Sequence, residues 1–168
     1  MRHTLILLRH AKSDWPDGVA DHDRPLNKRG RGDAPHTGTW LVAEGRVPDR
    51  AAVSTAVRTR QTYALAAEAF AAEPEVVFLD ELYGASPGEM LEVIRATPES
   101  VTTLLVVSHN PGTQHLALVL ADDTNPELAG KVQAGYPTNT ATVLEFDGEW
   151  AGLDPEGASI VAVESPRG

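Results

Sequence analysis

Cysteine is absent from the 168 residues. That excludes a disulfide scaffold, Cys-ligated zinc, an iron–sulfur cluster and a thiol nucleophile, so the fold has to stand on its core. Basic residues are in short supply: 14 Lys and Arg face 24 Asp and Glu, for a formal net charge of −10. Such a chain repels polyanions, and nucleic acid is not an expected partner. Long hydrophobic runs are missing as well. The N-terminal run, Leu5 to Leu8, is broken at once by Arg9-His10, too soon for a signal-peptide core, and no segment approaches the roughly 20 apolar residues of a membrane span. A cytoplasmic protein without a membrane partner is expected. What is present, 42% hydrophobic and 23% charged residues, is ordinary for a soluble globule. At this length folding removes about 70% of the exposed surface, and one domain over residues 1–168 is expected, with a looser polar C-terminus.

Leu5-Ile6-Leu7-Leu8 and Thr103-Leu104-Leu105-Val106-Val107 read as central strands buried on both faces, each ending in a polar segment that meets solvent. Shorter strands are predicted at Ala51–Ser54, Val76–Leu79, Ala141–Phe146 and Ser159–Val163, and helices at Asn27–Glu44, Ala56–Ala71, Ser86–Arg95 and Gly112–Leu120. Gly30, Gly32 and Pro35 make the start of the first helix irregular on paper. Thr62, Leu65, Ala66 and Ala69 form a small-residue stripe suited to close packing on a sheet. Strands alternating with helices predict an α/β three-layer sandwich with a mostly parallel central sheet flanked by helices. No repeat or linker divides it.

The chemistry gathers at strand ends. Arg9-His10 follows one buried strand and Ser108-His109-Asn110-Pro111-Gly112 another, which brings two imidazoles to the carboxyl edge of the sheet, where open α/β sheets bind ligands. Arg58 and Arg60 open a helix after a third strand. A helix N-terminus already favours anions, and a guanidinium adds a fork matched to phosphate oxygens. Either arginine alone also reads as an ordinary exposed charge. The polar loop Asp14 to Pro25 falls in the same region. His22 between Asp21 and Asp23 suggests a metal, but no His-Glu-x-x-His or comparable ligand spacing accompanies it, and neither metal nor cofactor is expected.

Leu8-Arg9-His10-Ala11-Lys12-Ser13, Asp23-Arg24-Pro25-Leu26-Asn27-Lys28-Arg29-Gly30, Ser54 to Thr62, Leu82-Tyr83, Ser108-His109-Asn110-Pro111 and Pro137-Thr138 occur in one order and spacing. In this the chain resembles the histidine phosphatase superfamily, whose fold is phosphoglycerate mutase-like, and within it the small SixA-type phosphohistidine phosphatases. Position 11 is Ala where the wider superfamily has Gly, and position 108 is Ser where Gly is usual. The insertions that build a cap domain in larger relatives are absent.

The resemblance implies that His10 is the nucleophile and forms a phosphohistidine intermediate that water then hydrolyses. It also implies that Arg9, Arg58 and protonatable His109 neutralise and hold the phosphoryl group. Arg24 is a further phosphate contact, or else it pairs with Asp21 or Asp23 to order its loop. Lys12, Ser13 and Thr138 are lesser candidates. The proton donor for the leaving group falls at Asp80 or Glu81, between which the register does not choose, and either also reads as a solvated strand-end carboxylate. The implied substrate is a protein phosphorylated on histidine. The rival readings are a phosphomonoesterase for a small metabolite or nucleotide, and a phosphate-binding module without catalysis.

Overall fold

The computed structural model describes residues 1–168. Six strands, β1 (Arg2–Arg9), β2 (Arg50–Ser54), β3 (Glu75–Leu79), β4 (Thr103–Ser108), β5 (Ala141–Asp147) and β6 (Ser159–Glu164), form one sheet in the order β3-β2-β4-β1-β5-β6. Neighbours from β3 to β1 are parallel, and β5 runs antiparallel between β1 and β6. All strands but β5 therefore point the same way, as the alternation of elements predicts.

Five helices cover the two faces: α1 (Lys28–Ala43), α2 (Val57–Ala67), α3 (Pro87–Arg95), α4 (Gly112–Leu120) and α5 (Pro126–Ala134). Alternate residues of a strand point to opposite faces, so each central strand feeds two cores. Leu5, Leu7, Leu104 and Val106 pack with Ile94 of α3, Leu116 of α4 and Val132 of α5. Ile6, Leu8, Leu105 and Val107 pack with Leu41 of α1 and Tyr63 of α2.

The first helix is regular despite its composition. Asn27 caps it by accepting from the Gly30 N–H at 2.8 Å, and Pro35 lies inside a continuous α-helix. Two of its glycines are demanded by close approach: a Cβ on Gly30 would overlap the Lys12 carbonyl, and one on Gly38 would overlap the Ala66 carbonyl of α2. The small-residue stripe thus works mainly against α1. Thr62 and Ala66 are buried, whereas Ala69 is exposed beyond the end of α2, because the chain turns there through Ala69 and Phe70 N–H bonds to Ala66 and Ala67.

Three further expectations are corrected. Helix α5 has no counterpart in the predicted elements. Strand β1 starts at Arg2 because the polar residues Arg2 to Thr4 pair with Glu145 to Asp147 of β5. The C-terminus is tied down, with Gly168 N–H donating to Asp33 Oδ1 at 2.9 Å and Arg167 to the Thr138 carbonyl at 3.0 Å.

Candidate active site

β1 and β4 are parallel neighbours with Arg9 opposite Ser108, so the residues that follow each strand must meet. The rings of His10 and His109 stand 5.4 Å apart. β2, on the far side of β4, leads through Ser54 into α2, which brings Arg58 to the same edge. Arg9, His10, Arg24, Arg58 and His109 line one pocket of about 250 Å³, and the lesser candidates Lys12, Ser13 and Thr138 line it too. Arg60 is not among them: it is exposed, with its guanidinium 5.3 Å from the centre of the Phe78 ring.

Position 10 is built for a neutral imidazole. Its Nδ1 lies 2.7 Å from the Ala11 carbonyl, an acceptor only, so Nδ1 carries the proton and Nε2 keeps its lone pair. Burial above all pushes His10 down to about 3, with His109, Arg58 and Arg9 adding repulsion. Ala11 packs with Leu26 and Ala34, and its N–H donates to Thr62 Oγ1 at 3.0 Å, which fixes the backbone that fixes the ring. Ser108, the other departure from the glycine pattern, donates its hydroxyl to the Leu82 carbonyl at 3.0 Å and so ties β4 to the turn after β3.

His109 is held to about 4 by burial first and Arg58 next, so in the free protein both imidazoles are neutral. The fixed positive charge belongs to the arginines and Lys12, not to the imidazoles. His109 Nε2 lies 2.8 Å from Ser54 Oγ; with Ser54 donating in that bond, the ring proton sits on Nδ1. That nitrogen, together with Arg9 Nε and Arg58 Nε, is buried without a partner in the chain. A buried polar group left unpaired costs about 1 to 3 kcal/mol, and all three belong to residues that line the pocket.

The loop from Asp14 to Pro25 is organised by Asp21. Its Oδ1 accepts from Arg24 Nε at 3.0 Å, its Oδ2 from Arg58 at 3.2 Å, and its carbonyl from Arg58 at 2.7 Å. The Tyr83 hydroxyl donates to Asp21 as well; it and the two arginines hold the Asp21 carboxyl well below the usual carboxylate range. Arg24 therefore fits both readings made from the sequence, since it lines the pocket and pairs with Asp21. It also donates to Ser13 Oγ at 2.9 Å and to the Asp14 carbonyl at 3.0 Å.

Neither acid candidate lines the pocket. Asp80 Oδ1 accepts from the Thr55 hydroxyl at 2.5 Å, and Thr55 in turn meets His22 Nε2 at 2.9 Å. His22 is thus held by a hydroxyl, not by a ligand cluster; no group of three His, Asp or Glu is placed to hold a metal ion. Glu81 is exposed and borders a separate groove beside Arg50 and Val93. Trp15 carried no expectation from the sequence, Ser54 entered only as the start of a motif segment, and Asp21 only as a loop partner for Arg24. The Ser54 signal was its place four residues before Arg58 at the end of a strand.

A pocket lined by two histidines and three arginines at the carboxyl edge of a mostly parallel sheet is suited to an anionic ligand. The chain belongs to the histidine phosphatase superfamily, branch 1, whose family model matches residues 5–102. It is similar to a solved structure of a proposed phosphohistidine phosphatase SixA from Nakamurella multipartitia, at 32% identity and a TM-score of 0.87, over 99% of this chain and 97% of that one. It is also similar to the corresponding protein of Agrobacterium tumefaciens, at 28% identity and a TM-score of 0.82, over 98% of both chains. An uncharacterized protein of Mycobacterium tuberculosis is 43% identical over 95% of this chain and 100% of its own length. The SixA-type, phosphoglycerate mutase-like architecture thus extends over the whole chain, including His109, which lies beyond the residues matched by the family model. No helix is long and apolar enough to cross a membrane.

Proposed function

We propose that the protein is a phosphohistidine phosphatase that acts on protein histidine through a covalent intermediate on His10, without a metal ion. The observation that carries this reading is the pocket itself: a neutral His10 with a free Nε2 stands among Arg9, Arg58 and His109, and no carboxylic acid lines the space. In the first step Nε2 of His10 attacks phosphorus, and the bond from phosphorus to the substrate's histidine nitrogen breaks. That histidine, protonated beforehand, leaves as neutral imidazole, whereas an alkoxide would need a proton from the enzyme in the transition state. In the second step water attacks the phosphoryl group on His10, the P–Nε2 bond breaks, and phosphate leaves. The arginines and His109 hold the equatorial oxygens and oppose the charge that otherwise repels a nucleophile. Binding the phosphoryl dianion also favours a protonated His109, which the free site disfavours.

The test is a panel of substrates at equal concentration: a phosphohistidine protein, sugar phosphates and nucleotide monophosphates, each assayed with and without EDTA. The expected result is a kcat/KM at least tenfold higher for the phosphohistidine protein, unchanged by chelation, with an acid-labile phosphoryl group trapped on His10. Preference for an O-phosphate makes the protein a small-molecule phosphomonoesterase. Binding without turnover makes it a phosphate-binding module. Loss of activity with EDTA, restored by one divalent ion, overturns the metal-free route.

A further inference from the structure

Trp15 is the one apolar side chain among the ten residues that line the catalytic pocket, and it is 73% exposed. A tryptophan left in water at the mouth of a charged site has to be explained, because indole is among the side chains that contribute most when an interface covers it. Its position is fixed. The loop that carries it is closed at its base by Asp14 N–H donating to the Pro25 carbonyl at 2.8 Å and Asn27 N–H to the Lys12 carbonyl at 3.0 Å, with Ser13 bridging Leu26. One face of the indole lies over the Arg24 guanidinium, 3.4 Å from the ring centre. Arg24, 6% exposed, is itself pinned by Asp21, Ser13 and Asp14. The second face has no such neighbour and is open to solvent.

Aromatic surface continues beyond the arginines. Tyr83, 37% exposed, has its hydroxyl bound to Asp21 and its ring edge-on to His109 at 5.5 Å. A chain of contacts thus runs from Trp15 through Arg24 and Asp21 to Tyr83, with an aromatic ring at each end. A sugar phosphate fills the charged centre and has no apolar face to lay on the indole, whereas a nucleotide would stack its base there and is the competing occupant in the substrate panel. A polypeptide that carries its phosphoryl group on one side chain brings apolar neighbours to both sides of it.

We propose that Trp15 is a specificity-determining residue: its open face docks apolar side chains that flank the phosphorylated histidine of a protein substrate, while Arg24 behind it keeps the indole at the pocket rim. This rests on the reading of the site as a phosphohistidine phosphatase. Docking through Trp15 lowers KM for the protein substrate and leaves the chemical step at His10 untouched, so a small N-phosphoryl compound does not sense it.

Steady-state kinetics of the wild type, Trp15→Ala and Trp15→Phe on a phosphotransfer protein phosphorylated on histidine and on N-phosphoimidazole separate the possibilities. The expected result for Trp15→Ala is a rise in KM of about tenfold on the protein with kcat within twofold, and less than a twofold change in either constant on N-phosphoimidazole. Trp15→Phe should recover most of the loss. Equal losses on both substrates would show that Trp15 acts on the phosphate site through Arg24, and unchanged kinetics on the protein would show that nothing docks there; either result overturns the proposal. A wild type that hydrolyses N-phosphoimidazole but not the phosphoprotein overturns it too. Turnover of neither N-phosphoryl substrate by the wild type would instead defeat the functional reading on which it rests.

Discussion

A buried histidine lies near the start of β1 and another just past its end. His3 is fully buried and His10 is 7% exposed, and the Nδ1 of each lies 2.7 Å from a backbone carbonyl, Gly148 for the first and Ala11 for the second. What differs is the company of the other face. His3 packs, tilted, against Phe146 at 5.4 Å and Trp150 at 4.6 Å, with Glu99 at 3.5 Å from Nε2. His10 stands in a pocket with three arginines and a second histidine. The same side chain with the same anchoring bond is a packing element where aromatic rings surround it, and is the proposed nucleophile where an open, cationic pocket leaves its lone pair free.

Exchanging the two losses tests that contrast. His10→Ala should lower turnover by about a thousandfold or more and leave urea unfolding close to that of the wild type. His3→Ala should cost about 3 kcal/mol of stability, the usual price of emptying a buried ring site, while the folded enzyme keeps its activity within about twofold. Phosphohydrolase assays at a temperature where both variants are folded, paired with urea melts, read both quantities. Turnover retained by His10→Ala would rule out a covalent route through that residue.

The acid side of the stability curve sharpens the contrast further. His10 falls to about 3 and His109 to about 4 in the folded protein, burial being the first cause in each, against an ordinary value of about 6.5. Between those limits the unfolded chain binds protons that the folded chain refuses, so stability is complete above about pH 6.5 and is lost as pH falls toward the folded values. The slope is at most about 1.4 kcal/mol per pH unit for each such histidine. Urea melts from pH 7 to pH 5 should show a shallower slope for His10→Asn than for the wild type. Parallel slopes would mean that His10 titrates in the folded state as it does in a free chain.

The two histidines also show what was legible in the sequence. Runs such as Leu5 to Leu8 ending in Arg9-His10 announce a buried strand and a polar edge, so the sheet, its direction and the meeting of His10 with His109 follow from apolar pattern and element order. His3 gave no comparable signal, because its burial is made by Phe146 and Trp150 from a distant part of the chain. Helix α5 escaped for a related reason: Pro126 to Ala134 is short, contains Gly130, and has Val132 as its single buried residue. Asp21 lies in a segment noticed for Arg24, yet its grip on Arg58 and Tyr83 depends on how the loop folds back, which spacing does not encode.

The smallest effect is expected from the carboxylates. Asp80 and Glu81 occupy the stretch where a proton donor for the leaving group would fall, but the pocket is lined by neither. Asp80 accepts the Thr55 hydroxyl proton in a chain that ends at His22, and Glu81 borders a groove beside Arg50. A histidine leaving group that arrives already protonated does not require an acid from the enzyme. Asp80→Asn, Glu81→Gln and the double variant should therefore change hydrolysis of a phosphohistidine protein by no more than about twofold, and should reduce any residual activity on O-phosphates by more. A double variant as inactive as His10→Ala on the phosphohistidine protein, with its urea melt unchanged, would show that a carboxylic acid reaches the leaving group, and would move the phosphomonoesterase reading to first place.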